Sequence, residues 1–403
     1  MKRTCLLPLV FLLLTSILPL CAEDTLAIKI SADSEPLAAV AGCVNALSGE
    51  FFSVEEDLVS RRAGGLRCRR IYDGSSRAGL PPYGCGWGGD HRKQVLFLEY
   101  KKGRKYAYAG QGEHSSLLFD ISKSGANLLG AISDEVYKAG YTNTLETIVR
   151  GDPPFALAKL CCSDRNNQKR SNKWEVRLAD GTVRTYFRNG KAAKYSNCKI
   201  YQYLLEKEIL PNGCIRHFSY HPETFLFDKI QVTNGKGTRV LDTLDFFYED
   251  LWGRAPFAKA VSGSGLSVYY QLANVVVGKT RPALVEQKLC TVSGDHLAKT
   301  RYLHDTFDYP GSSPFKISKI ELPERQSIRI DYCHNKKKWE YGKVKKLKVP
   351  KAENPKKYET LYTFKYYLNC TEVIDPFKNS TTYYRSNNRL GKIKQKSRTF
   401  TYQ

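Results

Sequence analysis

Residues 201–230, YQYLLEKEILPNGCIRHFSYHPETFLFDKI, decide the fold of this chain. Two extended runs flank Pro211-Asn212-Gly213, and a polar loop and a closing apolar segment follow them. Asn-Gly between two extended runs is the strongest short-range signal for a β-hairpin, because a type I′ turn requires positive φ at both central residues. The stretch therefore predicts a β-hairpin with a type I′ turn.

The same order of strand, turn and strand returns in other parts of the chain. In one of them Ile328, Ile330 and Tyr332 alternate with polar residues, which is the period-two pattern of a half-buried strand. Four segments with the same strand–turn–strand pattern predict a repeat architecture made of β-strands. The further segments are 174–187, 317–347 and 372–396.

A family resemblance rests on three stretches. VIDPFKNSTTYYRSNNRLGKI (373–393) resembles the Rhs/YD-repeat consensus, in which a DPxGN-like turn precedes TxYxYD and a GRLxxI-type close. VNALSGEFFSVEEDL (44–58), and RRIYDG (69–74) followed by YGCGWGG (83–89), resemble N-terminal segments of many Rhs proteins. Phe377-Lys378 and Arg385-Ser386 depart from the consensus, so the individual repeats are degenerate.

The resemblance implies the fold and a family of functions. It implies an all-β protein in which repeated β-hairpins form a curved, spiral YD-repeat sheet, a partial shell with little helix. Each repeat in such a shell contacts its neighbours and buries an aromatic-rich face. In the family the shell encloses or displays a C-terminal toxin, or binds ligands at the surface.

The N-terminus has the pattern of a secretory signal peptide. Lys2 and Arg3 precede an apolar run over 6–20, and Cys21-Ala22 form a small-residue exit. Cleavage after Ala22 is the main prediction, and acylation of Cys21 is an alternative that the bulky Leu20 disfavours. No later apolar run has membrane-spanning length, so we expect an exported protein that is periplasmic, cell-surface or secreted.

The chain divides into four predicted parts. Residues 1–22 are the signal, 23–40 a flexible lead-in, 41–150 an N-terminal Rhs-like β region and 151–403 the degenerate YD-repeat region, with the boundary at Gly151-Asp-Pro-Pro154. Within the N-terminal region the sequence predicts a Gly-rich loop over 74–90, with Trp87 as a core anchor, a hairpin over 95–109 and a short helix over 132–139.

The chain is strongly basic. Its formal net charge is +23, and residues 336–403 alone hold 15 Lys and 3 Arg against 5 acidic residues. A basic surface favours polyanions, of which an acidic polysaccharide fits an exported protein, whereas the usual explanation of a charge run is a solvated face. Nucleic acid is disfavoured because no recognition element accompanies the charge. The candidate polyanion-binding residues are Lys336, Lys337, Lys338, Lys345, Lys346 and Lys348.

Cysteine and histidine patterns predict no catalytic, cofactor or metal site. Ten cysteines follow the signal without a CxxC, so we expect some disulfides of unreadable connectivity. His217 and His221 could share a strand face, but a zinc site needs further ligands. Cys333-His334 and the pair Cys290 and His296 lack an orienting third group.

Asp375-Pro376 raises one enzymatic alternative. Many Rhs proteins carry paired DPxGL motifs that form an aspartate-dependent self-cleavage core. This chain has a single Asp-Pro followed by Phe-Lys-Asn, so Asp375 is predicted to be a turn residue that caps its own loop.

These observations predict an exported, non-enzymatic Rhs/YD-repeat protein. Its expected role is a scaffold or partial shell of a toxin-delivery or cell-surface interaction protein, with a protein partner or the remaining shell as its ligand. The alternative is an envelope adhesin that binds acidic glycans through the Lys-rich surface. A β-structured hydrolase would need clustered carboxylates in a cleft, and the sequence singles out no such pair.

Overall fold

Antiparallel β-strands make up 70% of the described part of the chain and helix 1% in this computed structural model. The all-β, curved-sheet prediction is therefore confirmed. Within the described residues, no helix has the length and apolarity that a membrane span requires. The structure describes residues 38–60, 62, 64–74, 86–89, 95–101, 104–110, 115–121, 127–133, 159–162, 172–195, 198–222, 226–249, 257–277, 279–307, 315–386, 389–396 and 398–401.

Two small sheets come first. β1 (Ala39–Val40) pairs with β2 (Val44–Asn45), and β3 (Phe52–Val59), β4 (Arg67–Asp73) and β5 (Trp87–Gly89) form a three-stranded sheet. Pairing between β3 and β4 places Glu55 opposite Arg70 and Glu56 opposite Arg69. Opposite charges therefore face each other across this hairpin.

The remaining strands form one continuous sheet, in which most strands pair with the next one along the chain. β6 (Val95–Lys101), β7 (Arg104–Gly110), β8 (Ser115–Asp120) and β9 (Asn127–Ser133) form a branch of it. The main series consists of β10 (Lys159–Cys162), β11 (Lys173–Arg177), β12 (Val183–Tyr195), β13 (Cys198–Ile209), β14 (Ile215–Tyr220), β15 (Phe227–Thr233), β16 (Val240–Glu249), β17 (Phe257–Ser262), β18 (Leu266–Val277), β19 (Lys279–Thr291), β20 (His296–Thr306), β21 (Phe315–Glu321), β22 (Ser327–Tyr332), β23 (Val344–Lys351), β24 (Asn354–Tyr366), β25 (Cys370–Ile374), β26 (Ser380–Ser386), β27 (Arg389–Gln395) and β28 (Arg398–Thr401).

The long strand β13 is the branch point of the sheet. Its first half, Cys198–Leu204, pairs with β6, while Lys207–Ile209 pairs with β14. The branch and strands β10–β13 share a core of their own, which includes Leu96, Phe119 and Trp174. The segments predicted as repeats, 174–187, 201–230, 317–347 and 372–396, all lie in this one sheet, which confirms the predicted continuity.

One turn geometry recurs at four hairpins, at residues 178–182, 210–214, 291–295 and 375–379. In each turn, the N–H of the fourth residue donates to the carbonyl of the first residue. The N–H of the first residue donates to the carbonyl of the fifth. The fourth residue has positive φ, as at Gly213 (φ 82°) and Lys378 (φ 62°). This is a type I turn followed by one left-handed residue. The type I′ prediction at 211–213 is therefore wrong, because Pro211 fixes φ near −65°.

A tyrosine repeats at the opposite ends of the strands. Tyr220, Tyr332 and Tyr366 are the last residues of β14, β22 and β24, and each donates its hydroxyl to a backbone carbonyl of the preceding strand. Buried phenols need such a partner, because an unpaired buried hydroxyl is costly. The repeats therefore share an anchoring side chain as well as a turn.

Because successive strands run in opposite directions, the connections lie on two rims. We call the rim that carries turns 178–182, 210–214, 291–295, 352–353 and 375–379 the turn rim. The opposite edge, with the connections 333–343 and 367–369, is the loop rim. The loop rim carries the predicted Lys336–Lys338 cluster.

Several local predictions are wrong. Ile132 and Ser133 end strand β9 rather than begin a helix, and residues 134–139 lie outside the described part. The predicted 74–90 loop contains strand β5, although Trp87 is the buried anchor that was expected. Ala38 is fully buried and Ala39–Val40 form β1, while residues 23–37 of the predicted lead-in lie outside the described part. The signal peptide and the 151–154 boundary lie outside the described residues.

The disulfide prediction fails for most of the described cysteines. Their thiols are free, and burial raises the pKa of the Cys43 thiol to about 12, which keeps it protonated. These strands are joined by ladder hydrogen bonds and packing. The free thiols belong to Cys43, Cys161, Cys214, Cys290, Cys333 and Cys370.

Gly64 provides a test of how the N-terminal strands pack on the sheet. It has a φ of 92°, and a Cβ at this position would lie 2.4 Å from Cγ1 of Val232 on β15. Gly64→Ala should destabilise the fold by about 2–4 kcal/mol, through left-handed strain and overpacking together. Urea denaturation measures the loss.

Gly294→Ala is the matched control for this prediction. Gly294 has a φ of 98° with nothing within 4 Å of the added Cβ, so only the backbone strain of about 1–2 kcal/mol applies. Equal losses for the two variants would contradict the close packing of Gly64 on Val232.

Candidate functional site

The N-terminal segment, residues 38–74, crosses the inner face of the sheet, the face that carries the buried tyrosines Tyr270 and Tyr302. As the segment proceeds, its partners move backwards through the strand order, from β26 to β14. The contacts in order are Leu47 with Arg385, Gly49 with Val344, Glu50 with Lys316, Glu55 with Tyr302, Asp57 with Tyr270 and Gly64 with Arg216.

Strand β4 returns in the opposite direction. Its contacts advance from β18 to β21 as the strand proceeds. One segment thus ties together repeats that are far apart in the sheet, each of which otherwise pairs only with its neighbours. These contacts are Cys68 with Tyr270, Arg70 with Tyr302 and Tyr72 with Ile317.

A buried ionic cluster lies at the centre of this crossing. Nη2 of Arg70 lies 2.8 Å from Oδ1 of Asp57 and 2.8 Å from Oε2 of Glu55, and Nε of Arg70 also bonds Asp57. The hydroxyl of Tyr270 donates to Oδ2 of Asp57 at 2.7 Å. The Tyr302 hydroxyl accepts from Arg70 at 3.1 Å and donates to Glu55.

Aromatic rings enclose the guanidinium of Arg70. Its Cζ lies 4.4 Å from the ring centre of Trp87, 5.0 Å from that of Tyr270 and 5.6 Å from that of Tyr302. The Arg70 side chain is 0% exposed, and rings placed this way attract a cation through their faces. Trp87, predicted only as a core anchor, therefore also covers a buried charge.

Burial and the neighbouring charges set the protonation of the cluster. Burial alone would lower the pKa of Arg70, but Asp57, Tyr302 and Glu55 hold it well above its ordinary value. Burial raises the pKa of Glu55, and Arg70 acts against that rise. Burial also raises the pKa of Tyr302 well above its ordinary value, so its hydroxyl stays protonated and can donate. We call Arg70 with Asp57, Glu55, Tyr270 and Tyr302 the clamp, and its guanidinium stays charged.

Two further charged anchors flank the central cluster. Near the loop rim, Nζ of Lys316 lies 2.6 Å from Oε2 of Glu50 and 2.8 Å from the carbonyl of Gly342. Near the turn rim, Arg216 donates to the carbonyl of Gly64 at 2.6 Å and to Glu208 at 2.8 Å. The segment is therefore fixed by charged groups at both rims and at its centre.

The candidate polyanion-binding lysines differ in exposure. Lys336, Lys337 and Lys338 are exposed in the loop-rim connection between β22 and β23, and Lys345 is exposed on β23. Lys346 and Lys348 are half-buried on β23, where Lys348 forms an ion pair with Asp331. Four of the six lysines are therefore exposed, and the two half-buried ones include the lysine whose charge is paired with Asp331.

The histidine and cysteine candidates have structural surroundings. His217 bonds Thr233 at 3.2 Å, and burial lowers its pKa. His334 stacks on Phe307, with ring centres 5.1 Å apart. Cys290 pairs across the strands with His296, but Cys290 is buried and His296 is exposed. Among the described residues, no group of three His, Cys, Asp or Glu side chains is placed to hold a metal ion.

Arg70, Asp57 and Glu55 are not among the site residues that the sequence predicts. A signal was present, because the acidic run Glu55-Glu56-Asp57 precedes the basic pair Arg69-Arg70 in two neighbouring strand patterns. Opposite charges on paired strands attract each other. The partners Tyr270 and Tyr302 lie more than 200 residues along the chain, so local pattern could not identify them.

Comparisons with known proteins establish no family for this chain. No family model and no curated protein matches this chain. A crystal structure of TcdB2-TccC3-Cdc42 is similar over 88% of this chain and 19% of that one, with 8% identity and a TM-score of 0.41. A crystal structure of TcdB2-TccC3 is similar over 88% and 20%, with 9% identity and a TM-score of 0.40.

This chain spans about a fifth of the length of those chains. Similarities with TM-scores below 0.5 do not establish a family. The Rhs/YD-repeat resemblance therefore stays a prediction.

The clamp makes a stability prediction. Arg70→Met leaves the buried carboxylate of Asp57 without its cation, so we expect a loss of about 3–5 kcal/mol in the free energy of unfolding, measured by urea denaturation. The combined variant Arg70→Met with Asp57→Leu should recover part of this loss, because the most buried carboxylate is removed together with its cation, while Glu55 keeps its hydrogen bond from Tyr302.

Arg301→Met on β20 is the matched control. The Arg301 side chain is 57% exposed and pairs with Glu286 on the outer surface, where an ion pair contributes at most about 1 kcal/mol. If Arg70→Met costs no more than Arg301→Met, the clamp does not hold the N-terminal segment.

Proposed function

We propose that this protein is an exported, non-enzymatic scaffold of the Rhs/YD-repeat type, a partial shell that acts by binding a protein partner. The residues quoted for the family resemblance support the family. The observation that carries the proposed role is the occupied inner face, where the protein's own N-terminal segment is fixed by Arg70, Lys316 and Arg216. A scaffold whose inner face is filled in this way offers its edges and outer surface to partners.

The second candidate surface is the side of β28, the last described strand, that faces away from β27. Within the described residues β28 pairs with β27 on one side, and all four of its residues are exposed. Phe400 in this strand is 49% exposed. An open strand edge is a template for pairing with another chain, and natural proteins block such edges with charges or proline. The strand that we propose to dock here comes from a partner protein.

Association through this edge can be tested by sedimentation velocity over a concentration series in low salt. We expect the protein to associate as its concentration rises, since a second copy can occupy an edge that lacks its partner. Phe400→Lys adds an edge charge and removes an apolar contact, so this variant should stay monomeric.

Phe377→Lys is the matched control for the edge. Phe377 is 64% exposed in the 375–379 turn, away from the β28 edge, so this variant should associate like the unchanged protein. A protein that stays monomeric at every concentration, or equal effects of the two substitutions, would contradict edge pairing.

A second candidate function is attachment to acidic glycans. The specific observation is that Lys336, Lys337 and Lys338 are exposed beside Trp339, which is 51% exposed. Exposed lysines attract polyanions over a range that salt controls, with a screening length of about 8 Å at physiological ionic strength. An exported protein would meet such glycans in the envelope.

Retention on an acidic polysaccharide column tests this candidate. We expect retention in low salt that is lost before molar salt, and weaker retention after Lys336→Gln, Lys337→Gln and Lys338→Gln are combined. The matched control combines Lys351→Gln, Lys356→Gln and Lys357→Gln, three exposed lysines on the turn rim. Retention that survives molar salt, or equal losses for both triple variants, would contradict attachment through the loop.

A further inference from the structure

Two cationic side chains of the loop rim, Lys343 and Arg385, lie against Gly49 and Leu47 of the N-terminal segment. The stem of Lys343 packs against the backbone of Gly49, so closely that a Cβ on Gly49 would lie 2.8 Å from Cβ of Lys343. Arg385 on β26 donates through Nη2 to the carbonyl of Leu47, two residues earlier. Both side chains are therefore fixed by the same short stretch of chain.

The polar ends of these two side chains are incompletely paired. Nε of Arg385 is buried without a hydrogen-bond partner, which is costly for a charged group. Nζ of Lys343 lies over aromatic rings, 4.1 Å from the centre of Trp339 and 5.1 Å from that of Tyr366. Neither arrangement supplies the anionic oxygen that a guanidinium and an ammonium bind best.

The electrostatics agree with this geometry. Burial and the charge of Arg385 lower the pKa of Lys343 to about 8, and Glu50 and Glu340 do not compensate. Cys333 also faces Lys343, and burial raises the pKa of its thiol. Lys338 and Lys345 lie near the same thiol. The groups around Lys343 thus leave an excess of positive charge at this point of the rim.

Apolar side chains border the two cations. Trp339 has one face towards Lys343 and remains 51% exposed, and the neighbouring loop-rim connection carries Leu368 at 83% exposure and Tyr367 at 49%. Trp339 also lies against Tyr366, with ring centres 6.4 Å apart, and exposed apolar side chains that lie together rather than singly mark interaction sites. An indole ring packs well against the C–H face of a pyranose, while cations bind its carboxylate.

We propose that Lys343, Arg385 and Trp339 form a binding site for a sugar that carries a carboxylate, such as a uronic acid unit of an acidic glycan. The carboxylate binds the ammonium of Lys343, the charge of Arg385 adds to the attraction, and the exposed part of the Trp339 ring covers the apolar face of the pyranose. This site rests on the second proposed function and makes it specific, because it selects three residues that differ from the exposed loop lysines.

The test titrates an oligogalacturonide into the full chain, with binding followed by calorimetry and by tryptophan fluorescence. The control ligand is the same oligosaccharide fully methyl-esterified, which keeps the rings and removes the charge. We expect binding of the acid form, and at least about tenfold weaker binding of the ester, since a charged hydrogen bond is lost. Inorganic phosphate, an anion without a ring, should also bind at least about tenfold more weakly.

Variants locate the site. Lys343→Gln and Trp339→Ala should each weaken binding of the acid form about tenfold or more. Lys343→Arg, which keeps the charge, should retain most of it. The matched controls on the turn rim, Lys356→Gln and Phe377→Ala, should leave the affinity unchanged. Affinity should also fall as the pH rises through about 8, where the unoccupied Lys343 loses its proton, and this fall should be absent in Lys343→Gln.

The outcomes separate this site from the broader proposal. If the combined Lys336, Lys337 and Lys338 variant abolishes binding while Lys343→Gln and Trp339→Ala do not weaken it, the site is wrong and charge-driven attachment remains. If the ester or phosphate binds as tightly as the acid oligosaccharide, recognition of a carboxylated sugar is wrong. If the unchanged protein binds no acidic oligosaccharide and is not retained on the polysaccharide column, both proposals fail.

Discussion

The structure depends on one buried charge, the guanidinium of Arg70 between Asp57 and Glu55 and beneath the rings of Trp87, Tyr270 and Tyr302. A cation removed from water in this way is tolerated only when carboxylates and hydrogen bonds replace its hydration. Here the carboxylates come from the N-terminal segment and the hydroxyls come from the sheet. Neither part can satisfy the cluster alone.

This dependence compensates for a weakness of repeat sheets. In a meander each strand pairs only with its two neighbours, so the stability is a sum of local terms and the ends can separate. The N-terminal segment contacts strands from β14 to β26 in order, and it connects repeats that share no ladder hydrogen bonds. It also covers the apolar face that a curved sheet would otherwise expose.

The same arrangement determines which surfaces are left for binding. The N-terminal segment fills the inner face. Its residues Leu47 and Gly49 lie against Arg385 and Lys343 at the loop rim. Within the described residues, the segment covers neither the loop rim nor the side of β28 that faces away from β27. The β28 edge is the proposed site for a partner strand, and the loop rim is the proposed site for an acidic sugar. At the loop rim, Arg385 and Lys343 both contact the N-terminal segment and belong to the proposed sugar site.

The sequence by itself determined the strands, the turns and the repeat, because these follow from short-range alternation, Pro and Gly positions and aromatic content. It placed Asp375 in its turn and Trp87 in the core. It did not determine the Pro211 turn type, the short strand at Trp87–Gly89 or the free thiols. Only the tertiary structure decided that Arg70 meets Tyr302 and that Lys343 meets Arg385, because those partners are far apart in the chain. The curvature of the sheet, which no local pattern encodes, brings them together.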